Sequence, residues 1–159
     1  MTAVENSISD GPKGIGGWMI LPILGMAGTA LAAGITTWQG VAGLTLDDWQ
    51  NLLAAYPWFV ASLALSVAFG VAGVAIIAFT LKLIFSKDAR APKWAILYFI
   101  FMVVIGTIEF GILHHYADVF QDPSMLDDEP KDTIRNYIIA AVWVPYFMRS
   151  KRVRNTFVN

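Results

Sequence analysis

Residues 135–157 read R-N-Y-I-I-A-A-V-W-V-P-Y-F-M-R-S-K-R-V-R-N-T-F. An apolar run opens beneath Arg135, passes through Trp143-Val144-Pro145-Tyr146-Phe147, and stops against Arg149, Lys151, Arg152 and Arg154. Cytoplasmic flanks of membrane spans carry the excess of Lys and Arg, so a membrane-sized segment ending on clustered cations points its basic end inward. That sets the side on which the C-terminus lies, and the remaining chain threads to match.

Upstream, the charge-free stretches are longer. The 159 residues are 57% hydrophobic and only 14% charged, against roughly a quarter charged in ordinary globular chains. Long apolar runs separated by short polar segments read as membrane spans. Four of them fill the length, at about 15–37, 57–85, 94–113 and 133–148. A polar N-terminus over 1–14 and a basic tail over 149–159 complete one membrane domain, with no room for a separate soluble one. The fourth span is short, about 16 residues or roughly 24 Å of helix, so Arg135 must snorkel at its start. Ala30-Leu31-Ala32 has the look of a signal-peptide cleavage site, but it lies within a run long enough to span and follows Glu5 and Asp10, so the first segment is expected to be retained. The lack of cysteine excludes disulfides, zinc–thiolate sites and thiol nucleophiles.

Between the first two spans, Thr45 followed by Asp48 has the form of a capping box, and Leu46, Trp49, Leu52, Leu53 and Tyr56 recur at helical spacing. Asp47, Asp48, Gln50 and Asn51 take the other face. The stretch is too short to span, so a helix in the interface plane is expected, with Trp49 and Tyr56 at headgroup level. The fold expected is all-α: an integral membrane four-helix bundle with this short amphipathic helix between its first and second spans. Small-residue rows, Ser62-Ser66-Gly70 and Ala64-Ala68-Ala72, lie in the second span, where a neighbouring helix or a second copy of the chain can approach closely. Rows of the same kind in the first span, Gly28-Ala32-Thr36 and Gly25-Thr29-Ala33, fit either packing or lipid contact.

Orientation follows from charge. Lys13, Lys82, Lys87, Arg90, Lys93, Arg149, Lys151, Arg152 and Arg154 fall on one side of this threading, and only Lys131 and Arg135 on the other. Both termini are therefore expected in the cytoplasm. Most loop acids, from Asp118 to Asp132, face out.

Two terminal motifs carry a resemblance. Gly14-Ile15-Gly16-Gly17-Trp18-Met19-Ile20-Leu21 at the start, and Trp143-Val144-Pro145-Tyr146-Phe147 with Ser150-Lys151-Arg152-Val153 and Thr156-Phe157 at the end, resemble the DUF2569 family. Arg135, ten residues ahead of Pro145, also fits that pattern. The resemblance implies a small four-helix protein of the bacterial inner membrane. It brings no activity and no site residue, since the family is defined by sequence alone.

Candidate sites therefore rest on the residues themselves. Glu109 lies within the third span, where a carboxylate is costly unless paired, and such acids default to a functional hypothesis. It stands roughly 7 Å of helix inside His114, near the outer boundary. Arg135 enters the fourth span from that same side, so the two can form a structural pair, or else serve transport or proton relay. His114 and His115 invite a metal or haem, but adjacent helical residues point about 100° apart and the i, i+4 ligand spacing is absent. The acidic loop lacks the spacing and central glycine of a calcium loop. Gly14-Ile15-Gly16-Gly17 precedes an apolar span, the wrong context for a nucleotide cradle. Beside a span, Arg149, Lys151, Arg152 and Arg154 read as contacts for anionic lipid headgroups, not nucleic acid.

No catalytic constellation, cofactor or metal site is expected. The leading reading is a non-enzymatic accessory or assembly module, or a subunit of a larger membrane complex. The alternative is a small oligomeric transporter or channel, which needs Glu109, Arg135 and Ser62 or Ser66 to converge on a wet cavity. An intramembrane enzyme has the least support.

Overall fold

The computed structural model describes residues 13–126 and 129–158. Nearly all of the polar N-terminus, and the loop acids Asp127 and Asp128, fall outside the described residues. A 3-10 turn at Gly17–Met19 leads into α1 (Ile20–Ala42), α2 (Leu46–Ala55), α3 (Pro57–Phe85) and α4 (Ala91–Phe120). A second 3-10 turn, Pro123–Leu126, precedes α5 (Glu129–Arg149) and α6 (Lys151–Thr156). The chain is all-α, with no strand among the described residues.

Each boundary has a local cause. Thr45 caps α2 with the expected reciprocal box: its N–H donates to Asp48 Oδ2 at 2.8 Å, and the Asp48 N–H donates to Thr45 Oγ1 at 3.2 Å. The Thr45 hydroxyl and N–H hold the Asp48 carboxyl below its ordinary range. Pro57 and Pro92 sit in the first turns of α3 and α4, where a helix leaves its N–H groups unpaired anyway. Both helices end in the same way. Lys87 and Gln121 turn left-handed, at φ 56 and 53, and the bonds Asp88 N–H to Leu83 O and Asp122 N–H to Ala117 O close Schellman motifs.

Among the described residues, three helices are long and apolar enough to cross a membrane, over Gly17–Gln39, Pro57–Phe85 and Ala91–Phe120. Trp58 is 81% exposed and Leu31 70%. Large apolar side chains turned outward in this number suit hydrocarbon, not water, and the protein is a membrane protein. α5 has 21 residues, but Glu129, Lys131, Asp132 and Arg135 crowd its first two turns and leave a short apolar part. α4 runs past the expected limit of the third span. No glycine or proline interrupts 114–120, and the extra turns are fixed by aromatic packing: Phe59 meets Tyr116 and Phe120 edge-on at 4.9 and 5.2 Å, and Tyr56 meets Phe120 at 5.0 Å.

α4 is the centre of the bundle, between α3 and α5, while α1 packs on α3. Gly73 of α3 lets Phe101 of α4 come within 3.4 Å of where its Cβ would stand, and Gly106 of α4 does the same for Asn136 of α5 at 3.1 Å. Thr107 and Tyr137 share a hydrogen bond of 2.9 Å across that second interface.

The buried core is not spread along the bundle. It gathers at the end that carries the basic residues, where Met19 and Met26, Leu83 and Ile84, and Ala95 and Phe99 meet Phe147. The basic tail contributes to it. Ser150 is extended (φ −65, ψ 124) and starts α6, which folds Val153 and Phe157 onto the entry to α1. The Gly14 N–H donates to Thr156 Oγ1 at 2.9 Å, joining positions 142 residues apart. Gly17 has φ +57, and its Cα faces the Arg152 guanidinium so closely that a Cβ would stand 2.8 Å from Nη1.

Candidate functional site

Glu109 lies within α4, about 16 Å of helix before Phe120. It is half-buried, and three cavities share it as a wall. The first, about 460 Å³, opens between α1 and α3 and is bounded by Thr36, Thr37, Trp49, Ser66, Gly70 and Glu109 among aliphatic side chains. The second, about 450 Å³, lies among α1, α4 and α5 and brings Glu109 together with Thr29, Asp132, Arg135, Asn136 and Trp143. A smaller one of about 160 Å³, beside Gly73 and Asn136, shares wall residues with both. Ala33 of α1 borders all three.

The cavity between α1 and α3 exists because α1 presents small side chains to α3 where α3 also presents small ones. The Ser62-Ser66-Gly70 row is half-buried, but Ser66 and Gly70 line the cavity, and nothing stands within 4 Å of a Cβ built on Gly70. Ser62 gives its proton to Phe59 O at 2.8 Å. Ala64 and Ala68 are exposed and Ala72 half-buried. On α1, Thr29 donates to Gly25 O at 2.9 Å and Thr36 to Ala32 O at 3.1 Å. With their protons committed to their own helix, both hydroxyls meet the cavities as acceptors.

Arg135 pairs with Asp132, one turn earlier on α5, at 2.9 Å; its side chain is 63% exposed. Glu109 and Lys131 each take part in a further polar or electrostatic interaction. The structure thus sets Glu109 and Arg135 on one cavity wall, and Glu109 and Ser66 on another.

His114 and His115 are exposed on α4; His114 stacks on Phe110 at 6.1 Å and His115 meets Tyr116 at 5.2 Å. Among the described residues no three of His, Asp and Glu come together in a way that holds an ion.

At the basic end, Arg149, Lys151 and Arg154 are exposed, whereas Arg152 is half-buried against Gly16 and Gly17. Asp88, in the α3–α4 turn, accepts from the Arg90 guanidinium at 2.8 and 3.0 Å and from its N–H at 2.8 Å. Those bonds hold the Asp88 carboxyl down at about 2.

Two parts of this arrangement carried no signal in the sequence reading. The cavity depends on how far apart α1 and α3 stand, which no local pattern states. The contact of the glycine turn with α6 joins the two ends of the chain, and only the Val153–Phe157 spacing after Ser150 hints at a short buried helix face.

Among curated proteins and among solved structures, none matches the chain. A family model described as a protein of unknown function (DUF2569) matches residues 12–158, nearly the whole length. The match includes both terminal motifs, which the fold brings into contact, and the chain belongs to the DUF2569 family.

Proposed function

We propose that this protein is a non-catalytic module of the bacterial inner membrane that takes an amphipathic molecule from the bilayer into the cavities around Glu109. The observation that carries the reading is the place of Glu109: an acid within a span, on walls shared with Ser66 on one side and Arg135 on the other. Cavities of this size, apolar with a few polar groups, are what small ligands occupy, and an intramembrane carboxylate is expensive to keep without use. Isolation from native membranes into lipid discs, followed by mass spectrometry of what is retained, tests it. A bound amphiphile is expected, lost in Ala33→Leu, which fills the shared wall. Retention of nothing, or of the same amounts by both proteins, would count against the reading.

The topology that goes with it has four crossings and both termini inside. The Gly14–Thr156 contact supports an even number of crossings, because it requires both ends of the described chain on one side. α5 then makes the fourth crossing with Arg135 snorkelling at its entry, and the exposed Arg149, Lys151 and Arg154 meet anionic headgroups. Reporter fusions after Ser86 and after Phe157 should report cytoplasm, and one near Met125 the outside. An outside signal at Phe157 would sink the four-crossing arrangement.

One observation favours a second reading, a subunit or assembly partner of a larger membrane complex. Gly28, Ala32 and Thr36 form an exposed row on α1, the kind of surface on which another helix packs closely. Gentle extraction that recovers a stoichiometric membrane partner, released by Ala32→Leu, would place this reading first.

A further inference from the structure

The cavity between α1 and α3 has a one-sided chemistry. Among the described residues, Glu109 is the only ionisable side chain on its wall and Trp49 the only aromatic one. Thr36 gives its proton to the carbonyls of Ala32 and Ala33, so its oxygen only accepts toward the cavity. A carboxylate, an accepting hydroxyl and an indole all favour a positive charge. Thr37 and Ser66 add two hydroxyls, each able to turn an oxygen toward a cation, and the rest of the wall is aliphatic or small, as at Leu63, Val67 and Gly70.

Resting on the cavity reading above and narrowing it, we infer that this cavity selects an apolar organic cation, its charged head beside Glu109 and Trp49 and its hydrocarbon body along α3. Glu109 already engages another group. A carboxylate has about four lone-pair sites, so a ligand head adds to that engagement. An anion of the same shape meets a like charge where low dielectric magnifies the repulsion. Trp49 belongs to α2, which has no buried residue and is tied to the bundle chiefly through α3. The amphipathic helix thereby supplies the cation-facing ring at the cavity edge.

Tetraphenylphosphonium and tetraphenylborate share one shape and carry opposite charge. Equilibrium dialysis of each against the full chain in neutral detergent, corrected for protein-free micelles, separates charge from size. The wild type should bind the phosphonium tighter by about tenfold or more. Glu109→Gln should bring the ratio of the two near one. Gly70→Leu, whose side chain enters open space, should remove saturable binding of both. Equal or tighter binding of the borate, still sensitive to Gly70→Leu, would overturn the cation assignment while leaving an amphiphile cavity in place. Phosphonium binding that survives Gly70→Leu would overturn both. Should Glu109→Gln fail to fold, the wild-type ratio and the Gly70→Leu result decide without it.

Discussion

The basic end of the molecule and its far half are held together by different means. At the basic end, every α-helix of the described residues except α2, or a turn beside it, contributes to one packed cluster, and Met19, Ile84, Ala91 and Ala95 are fully buried. In the far half the helices touch through glycines, an aromatic cluster and single hydrogen bonds, with cavities between them. The physical reason lies in the solvent. Where chain ends and loops leave the bilayer, water drives apolar side chains together. Within lipid that drive is missing, and helices associate by close fit and polar contact. A region relieved of the need for a tight core has room for a ligand site, and here it also holds the acid.

The contrast can be broken most forcefully at Phe147. It is 2% exposed and tilted against Phe99 at 6.2 Å, so Phe147→Ala should cost about 3–5 kcal/mol in thermal or denaturant unfolding in detergent. Val71→Ala, at a position 66% exposed in the second long helix, should stay within about 0.5 kcal/mol. Similar losses at both sites would erase the distinction between the two regions.

A smaller effect sharpens the role of the terminal contact. Gly17 needs its positive φ, so Gly17→Ala should cost about 1–2 kcal/mol, with Arg152 moving aside as well. Gly16, at φ −178, is ordinary extended backbone, and Gly16→Ala should cost clearly less. The two melting curves, measured side by side, show whether the turn is held by its backbone or merely lies beside α6.

The smallest effect is in the α3–α4 turn. The Asp88 carboxyl sits at about 2, below its usual 3.8. Its bonds to Arg90 therefore contribute fully above about pH 4 and are lost as pH falls through 2. A slight fall in melting temperature over that window is expected in the wild type and absent in Asp88→Asn. An identical pH profile for the variant would remove the turn from the list of things that steady the basic end.

Much of the helix plan was legible in the residues, and the exceptions share a cause. Thr45 and Asp48 announce α2, and Pro57 with the charge-free run to Phe85 announces α3, because caps and hydropathy act locally. α4 continues past Leu113, the expected limit of the third span, because the polar pair His114-His115 sets an expected limit to hydrocarbon and none to hydrogen bonding. Tyr116 and Phe120, four residues apart, continue the helix and meet Phe59. The tail after Arg149 reads as a cationic flank, and it also buries Val153 of α6 and Phe157 just past the end of that helix. At the candidate site, the sequence singled out Glu109 and Arg135, but their common cavity lies among α1, α4 and α5, whose spacing is a tertiary fact. Trp49, expected at headgroup level, also edges the cavity between α1 and α3.

The chain contains no cysteine, so a single introduced thiol reports on one position. Gly70→Cys places it in the cavity wall and Ala95→Cys in the packed basic end, where Ala95 is fully buried. Reaction with N-ethylmaleimide, timed in the folded protein and again after unfolding, compares the two regions directly. The thiol at 70 should react while the protein is folded, and the thiol at 95 only once it unfolds. Equal protection at both positions, or ready reaction at 95 in the folded protein, would contradict an open far half set on a closed basic end.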